Sequence, residues 1–148
     1  MAVSNLATSI DYYTKIGFKY IDTSPTSVAR IRNGGGLELH LCLADQGIED
    51  DKNILMDFSD IKYPGHTHMS FSVPNTPNAA KYLESQGFLI SGERRMGGPT
   101  GHLWGVFTRD PDRTTIEYEK NSNDQDDVEV TAANIGYPQS IDHIGKLL

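Results

Sequence analysis

Apolar and polar positions alternate along this chain with two periods, one typical of helices and one typical of strands. Between Asn5 and Gly17, apolar residues recur three or four positions apart, which predicts a helix that Asn5 caps and Gly17 ends. Strands are predicted at residues 18–22 and 27–32, and the glycine-rich turn at residues 33–36 leads into a third strand. The first third of the chain is therefore expected to form one helix followed by three strands.

The third strand, at residues 37–43, alternates strictly between leucines and other side chains. Because residues two apart project to the same face of a strand, its leucines face a core while Glu38, His40 and Cys42 share the other face. No base partner stands near Cys42 in the sequence, so we interpret this thiol as pocket lining rather than as a nucleophile.

A second polar face is predicted at residues 64–73. His66 and His68 lie two positions apart there, on one side of an alternating run whose other side is apolar. This pattern is typical of a strand that lines a polar cavity, although a sheet edge with two solvated histidines has the same pattern.

The second half of the chain repeats the organisation of the first. A second helix, capped at Asn75 or the next residue and ended by Gly87, is followed by three predicted strands, at residues 88–92, 101–109 and 114–120. Gly17 and Gly87 lie 70 positions apart, as do other residues that begin or end the same elements. The two halves are therefore interpreted as copies of one unit, in which Glu38 and Glu117 occupy the same place in the last strand.

The first copy lacks the strand that precedes the helix in the second copy. Residues 140–148 supply a matching run that contains His143, and joined to the N-terminal residues they would form one strand running into the first helix. We therefore predict a circular permutation within a single domain, with a first module at residues 1–45, a second module at 64–120 and an acidic linker at 121–139. A piece of a tandem array, in which the last residues open a further module, is the alternative.

Composition limits the classes of partner. The 148 residues carry a formal net charge of −7 and no basic cluster, which argues against nucleic acids and anionic membranes. A single cysteine permits no internal disulfide, the first residues do not resemble a signal peptide, and no apolar run has the roughly 18 residues of a membrane span. A cytoplasmic protein with a small-molecule substrate is expected.

Several motifs, taken in order, resemble one known superfamily. They are the Tyr-Tyr pair of the first helix, the Ile-Gly-Phe that follows it, LELHL at residues 37–41, GHTHMSFSV at residues 65–73 and DPDRTTIEYEK at residues 110–120. This order is similar to the glyoxalase, bleomycin-resistance and dioxygenase group, also called the vicinal oxygen chelate superfamily, over nearly the whole chain. The resemblance implies an α+β fold of two βαβββ modules whose mixed sheets curl into one cup around a divalent metal.

The resemblance also implies a ligand set, because glyoxalase-like members take a His and a Glu from each module. The matching residues are His143, Glu38, His68 and Glu117. Two carboxylates would balance the charge of a divalent ion, so that the ion and its four ligands together are neutral. This set of two imidazoles and two carboxylates suits Zn, Ni, Co, Mn or Fe better than Ca. Glu117 or Glu38 is then expected to act as the base that removes a proton from a substrate held through two neighbouring oxygens.

Five further residues are predicted to line the substrate pocket, namely His40, Cys42, His66, Trp104 and Arg94. His40 and His66 lie on the same strand faces as predicted ligands, and either could replace one. Arg94 could attract an anionic substrate, although a solvated strand edge explains it as well. A homodimer is expected because many members of this superfamily complete the cup with a second chain, and the displaced terminal strand could exchange between the two.

The favoured function is a metal-dependent lyase or isomerase of glyoxalase type that acts on vicinal oxygens through an enolate or enediolate. Cys42 stands where glutathione-dependent glyoxalases carry Asn, which argues against glutathione thioesters as substrates. One alternative is a metal-free protein of bleomycin-resistance type that sequesters a drug, since Tyr12, Tyr13 and Trp104 suit a cationic aromatic guest. A ring-cleaving dioxygenase is a second alternative, disfavoured by the carboxylate of Glu38.

Overall fold

Two four-stranded sheets, each with one helix, are seen in a computed structural model, which describes residues 1–44, 68–120 and 127–136. The first sheet and helix come from β1 (Ala2–Val3), α1 (Leu6–Lys15), β2 (Phe18–Thr23), β3 (Val28–Asn33) and β4 (Glu38–Leu43). The second come from β5 (His68–Ser72), α2 (Thr76–Ser85), β6 (Gly92–Met96), β7 (His102–Arg109) and β8 (Thr115–Glu119). Neither ten-residue helix could cross a membrane, and no other helix in the described part of the chain could do so.

Both sheets have the same topology, with strand orders β1-β4-β3-β2 and β5-β8-β7-β6. β1 runs parallel to β4, and β5 runs parallel to β8, while the other neighbours are antiparallel. Each sheet forms a βαβββ module with its helix, so the predicted α+β fold is confirmed. One strand is displaced, because the sequence predicts a strand at residues 88–92, whereas β6 begins at Gly92 and Leu89 is 86% exposed outside the sheet.

The two modules also repeat in local detail. The side chain of Asn5 accepts an amide hydrogen bond at 3.0 Å at the start of α1, and Asn75 accepts one at 2.8 Å at the start of α2. Gly17 and Gly87 follow the two helices with φ of +97° and +84°, in the left-handed region that glycine adopts without strain. The repeat predicted from the sequence is thus confirmed through both helices.

The register of the sheets shows that the predicted equivalence of Glu38 and Glu117 is wrong. In the first sheet, Asp22 of β2 pairs with Arg30 of β3, which in turn pairs with His40 of β4. In the second sheet, Gly92 lies 70 positions after Asp22. Gly92 pairs with Phe107, which in turn pairs with Glu117. His40, and not Glu38, therefore holds the place in the first module that Glu117 holds in the second.

The parallel strand pairs give the same result. β1 pairs through Ala2 with the residue two positions after His40, and β5 pairs through Ser72 with the residue two positions after Glu117. The hairpin of β6 and β7 is longer than that of β2 and β3, which increases the repeat distance from 70 to 77 positions. The predicted equivalence is two residues out of register, and alternation cannot reveal such an error because a shift by two keeps a side chain on the same face.

Helix α1 joins the two modules through two buried tyrosines. The hydroxyl of Tyr12 shares a 2.7 Å hydrogen bond with Oγ1 of Thr108 in β7, and Tyr13 donates to Oδ2 of Asp110 at 2.8 Å. The two tyrosines are 6% and 0% exposed, and burial raises the pKa of Tyr12 to about 12. The interpretation of Tyr12 and Tyr13 as pocket aromatics is therefore wrong, because their rings and hydroxyls are used at this junction.

Residues 127–136, here called the C-terminal segment, form a packed element within the predicted linker at residues 121–139. Val130 and Ile135 are 4% and 2% exposed and belong to the hydrophobic core. A short 3₁₀ turn at Ala132–Asn134 lies between them. This part of the predicted linker is therefore held against the core by burial of its two apolar residues.

The C-terminal segment contacts both modules. The amide of Gly136 donates to the carbonyl oxygen of Ser72 in β5 at 2.9 Å. In the first module, a methyl group added at Gly17 would overlap the carbonyl oxygen of Ala132. The segment thus passes close to the end of α1 and continues to the end of β5.

His66, His143 and the proposed permuted strand at residues 140–148 lie outside the described residues. The described N-terminal strand β1 is short and pairs in parallel with β4, at the sheet edge that a permuted strand would extend. The permutation and the predicted bounds of the modules stay predictions.

Asp110 is expected to make the stability of this chain depend on pH. Its side chain is buried, and burial raises the pKa of its carboxyl group, while hydrogen bonds from Tyr13 and the Thr114 amide act in the opposite direction. Because this pKa is higher in the folded state than in the unfolded state, the contribution to stability is complete below the unfolded pKa and falls as pH rises through the folded pKa. We therefore expect the free energy of unfolding, relative to that of Asp110→Asn, to fall from about pH 4 toward neutrality.

Urea unfolding at a series of pH values measures this difference. The Tyr13→Phe variant serves as a second test, since it removes a hydrogen bond that favours the ionised carboxylate and should make the fall steeper. Equal pH dependence in the unaltered chain, Asp110→Asn and Tyr13→Phe would contradict the prediction.

Candidate functional site

The polar face of the second sheet centres on Glu117 in strand β8. The Glu117 side chain is only 4% exposed, so its carboxylate needs partners within the protein. Nε2 of His68 on the neighbouring β5 lies 3.2 Å from Oε2 of Glu117, and Nη1 of Arg94 on β6 donates to Oε1 at 2.7 Å. The structure thus brings together three predicted site residues from three strands.

Glu119 is a further residue of this face that the sequence analysis did not single out. Its Oε1 accepts a hydrogen bond from Oγ of Ser70 at 2.9 Å. Its Oε2 lies 3.4 Å from Nε1 of Trp104 and 3.6 Å from Nη1 of Arg94. The available signal was its position two residues after Glu117, which places both carboxylates on one face of β8.

An open groove of about 520 Å³ runs along the edge of the second sheet, lined by Glu93, Arg94, Arg95, Met96 and Trp104. Cζ of Arg94 lies 6.0 Å from the centre of the Trp104 ring, within the range of a cation–π attraction. The two predicted pocket residues Arg94 and Trp104 therefore lie together, in a groove lined by two guanidinium groups, the indole and the Glu93 carboxylate that pairs with Arg95.

Glu38 on β4 is surrounded by cationic side chains of the first sheet. Its Oε2 accepts hydrogen bonds from Nε of Arg32, at 3.0 Å, and from Nη2 of the same residue. Its Oε1 lies 3.0 Å from Nε2 of His40 and 4.0 Å from Nη1 of Arg30. Hydrogen bonds from Arg32 and His40 lower the pKa of Glu38. Glu38 is therefore an ionised carboxylate whose partners belong to its own sheet.

His40 and Cys42 lie on the same face as Glu38, as predicted. The side chain of His40 is 56% exposed, and the thiol of Cys42 is exposed as well. Both side chains are therefore accessible to a ligand or to another surface, whereas the predicted pocket residue His66 lies outside the described residues.

The second sheet fits part of a metal site. Two ligands about 2.1 Å from a tetrahedral or octahedral ion are about 3.0–3.4 Å apart, and the 3.2 Å between His68 and Glu117 falls in this range. Glu38 is bonded within the first sheet, and in the described ranges no three His, Cys, Asp or Glu side chains converge. Of the four predicted ligands, the structure thus brings two together, and His143 lies outside the described residues.

Comparison with known families identifies the class of protein to which this fold and polar face belong. The model of the Glyoxalase/Bleomycin resistance protein/Dioxygenase superfamily matches residues 1–118. This chain belongs to that superfamily, and the match spans both βαβββ modules. No protein of curated function matches the chain in sequence.

Solved structures share the fold at low sequence identity. A glyoxalase/dioxygenase from Nostoc punctiforme has 19% identity and a TM-score of 0.61, and the match covers 83% of this chain and 88% of that one. The fosfomycin resistance protein FosX from Listeria monocytogenes has 16% identity and a TM-score of 0.57, with 83% and 87% covered. Lactoylglutathione lyase from Agrobacterium tumefaciens has 17% identity and a TM-score of 0.56, with 82% and 89% covered. These likenesses establish the fold.

Proposed function

We propose that this chain is a metal-dependent lyase or isomerase of glyoxalase type, which acts on a small substrate with two neighbouring oxygens through an enolate or enediolate. The observation that carries the proposal is the pair formed by His68 and Glu117, whose nearest atoms lie 3.2 Å apart on adjacent parallel strands. Membership of a superfamily that includes glyoxalases supports it.

His68 and Glu117 would hold a divalent transition metal from the second sheet. When bound, the metal would take both substrate oxygens and stabilise the negative charge of the enolate. The remaining donors come from the first-sheet face that carries Glu38 and His40, and from His143. Since the described residues of one chain bring no third donor to His68 and Glu117, we propose a homodimer in which the first sheet of one copy faces the second sheet of the other.

Glu117 is the proposed base: its Oε2, which would hold the metal before the substrate binds, would leave the metal and accept the substrate proton. Arg94 holds Oε1, which leaves Oε2 turned toward His68 on the polar face. The sheet around Glu117 excludes water from its carboxylate, because the side chain is almost fully buried. The hydrogen bond from Arg94 to Oε1 thus fixes the orientation of the carboxylate, and Oε2 is the oxygen that takes the proton.

Elemental analysis of protein purified without an affinity tag or added metal tests this function. We expect about one transition metal per chain in the unaltered protein, and its loss in His68→Ala and in His143→Ala. Retention of metal in His143→Ala alone would remove His143 from the site and leave the function standing. No metal in the unaltered protein, even after reconstitution with Zn²⁺, Ni²⁺, Co²⁺ or Mn²⁺, would contradict the proposal.

A metal-free binding protein is the second candidate, and one observation favours it. Arg94 already neutralises Glu117, and Arg30 and Arg32 neutralise Glu38, so both carboxylates have cationic partners without a metal. In this case the groove beside Trp104 would hold the guest. Arg94 and Arg95 line that groove but are already paired with Glu117 and Glu93, so we propose a planar guest that stacks on the indole of Trp104.

A further inference from the structure

We propose that His40 is the metal-binding residue of the first module and that Glu38 positions its imidazole, which reverses the roles that the sequence motif implies. The proposal rests on the metal-dependent function proposed above. Three observations of the first sheet support it, namely the strand register, the existing partners of Glu38 and the hydrogen bond between the two side chains.

Strand register places His40, and not Glu38, at the position equivalent to Glu117. The equivalence holds whether the strands are counted from the antiparallel hairpins or from the parallel pairs β1 with β4 and β5 with β8. The residue equivalent to Glu38 is Thr115, which is buried and has no charge. If the two modules approach one ion in the same way, the donor of the first module comes from position 40.

The oxygens of Glu38 are already in use. Arg32 donates to Oε2 through both Nε and Nη2, while His40 lies 3.0 Å and Arg30 4.0 Å from Oε1. A carboxylate has about four lone-pair sites, and these partners occupy most of them. A metal bound by Glu38 would have to compete with Arg32 at Oε2 or with His40 at Oε1, whereas a metal bound by His40 would leave the contacts of Glu38 intact.

The hydrogen bond between His40 and Glu38 prepares the imidazole for a metal. An ionised carboxylate only accepts hydrogen bonds, so Nε2 of His40, 3.0 Å from Oε1 of Glu38, carries the proton. The lone pair of the neutral ring is then on Nδ1, the atom able to bind a metal. Metal-binding histidines commonly have their second nitrogen held by a carboxylate in this way. The ring is also 56% exposed, and therefore accessible.

Replacing Glu38 by His40 as a donor changes the charge of the proposed shell. A neutral imidazole in place of a carboxylate leaves Glu117 as the charged donor among His40, His68 and Glu117. The negative charge of Glu38 is balanced by Arg30 and Arg32 instead. The site would then hold a divalent ion with a net positive charge, which strengthens its attraction for the oxygens of an anionic substrate.

Calorimetric titration of the full chain with Zn²⁺ and with Co²⁺ tests the assignment through four variants. His40→Ala is expected to lower the affinity more than about 100-fold, and Glu38→Ala about 10- to 100-fold. Glu38→Gln should restore most of the affinity lost in Glu38→Ala, because an amide oxygen still accepts the hydrogen bond from Nε2. Tyr20→Phe, which removes an exposed hydroxyl of β2 bonded to Thr23 in the same sheet, is the control and should bind as the unaltered chain does.

Two further readouts separate the possible failures. ¹⁵N spectra of the metal-free protein should show His40 protonated at Nε2 in the unaltered chain, and a loss of this preference in Glu38→Ala. Metal binding that survives His40→Ala but is lost equally in Glu38→Gln and Glu38→Ala would overturn this inference and leave the metal-dependent function standing. An unaltered chain that binds neither ion would overturn both.

Discussion

Replacing Glu117 by glutamine is expected to lower the affinity of the chain for Zn²⁺ or Co²⁺ at least about 100-fold, because the amide lacks the negative charge that attracts a divalent ion. The variant should still fold, since an amide oxygen can accept the hydrogen bond from Arg94, and the Arg94 side chain is 53% exposed and remains hydrated. Without metal, we expect the free energy of unfolding to change by no more than about 1–2 kcal/mol. Calorimetric titration and urea unfolding of the same samples measure the two quantities.

Glu119→Gln is the matched control for this experiment. Glu119 lies on the same face of β8, and its carboxylate also approaches Arg94, at 3.6 Å. We expect this variant to keep its metal affinity within a few-fold of the unaltered chain. The comparison separates the loss of one negative charge on this face from the loss of a metal ligand. Equal losses in both variants would show that the general charge of the face attracts the ion, and an unchanged affinity in Glu117→Gln would remove Glu117 from the site.

Replacing Gly17 by alanine is expected to destabilise the chain strongly, although the change adds only one methyl group. The residue has φ of +97°, where an L side chain costs about 1–2 kcal/mol. Its new methyl group would also overlap the carbonyl oxygen of Ala132, so the C-terminal segment would have to move. We expect this displacement to add about 1–3 kcal/mol to the loss in the free energy of unfolding, measured with urea.

Gly87→Ala isolates the contribution of the C-terminal segment. Gly87 is the repeat equivalent of Gly17 and has φ of +84°, but a methyl group there would meet no atom within 4 Å among the described residues. Hydrogen exchange provides a local readout, because the Gly136 amide, bonded to Ser72, should lose protection in Gly17→Ala and keep it in Gly87→Ala. Equal destabilisation of the two variants would show that the segment contributes nothing through this contact.

The sequence was sufficient to predict the helices, the repeat and most of the strands. Helix caps are local features, since Asn5 and Asn75 act on amides three residues away, and glycine alone supplies the left-handed turns after the helices. Alternation also placed Glu38 and Glu117 correctly on polar faces. These predictions succeed because the physical causes lie within a few residues of each other in the chain.

Register and charge pairing depend on contacts that are distant in the sequence. The β6 and β7 hairpin is seven positions longer than that of β2 and β3, and no local pattern records this length, so the comparison of Glu38 with Glu117 was two positions out of register. Arg94 is 23 positions from Glu117, and only the sheet brings them together. The packing of the C-terminal segment was not predicted, because two apolar residues, Val130 and Ile135, are too few to give a periodic pattern.

The buried hydroxyls at the module junction are not repeated in the second helix. The residue equivalent to Tyr12 is Tyr82, whose hydroxyl donates to the carbonyl oxygen of Lys15 at the end of α1, at 2.8 Å. The residue equivalent to Tyr13 is Leu83, which is fully buried in the core. The contacts of α1 with the second module therefore differ from those of α2 with the first module.

This asymmetry bears on the history of the duplication. An ancestral pair of identical modules would have met through matching contacts, whereas in this chain Asp110 receives a hydroxyl from the first helix and Leu83 needs no acceptor from the first module. The two halves therefore meet at their shared boundary through different side chains. A gene that encoded either module twice would thus produce a chain whose halves no longer complete each other.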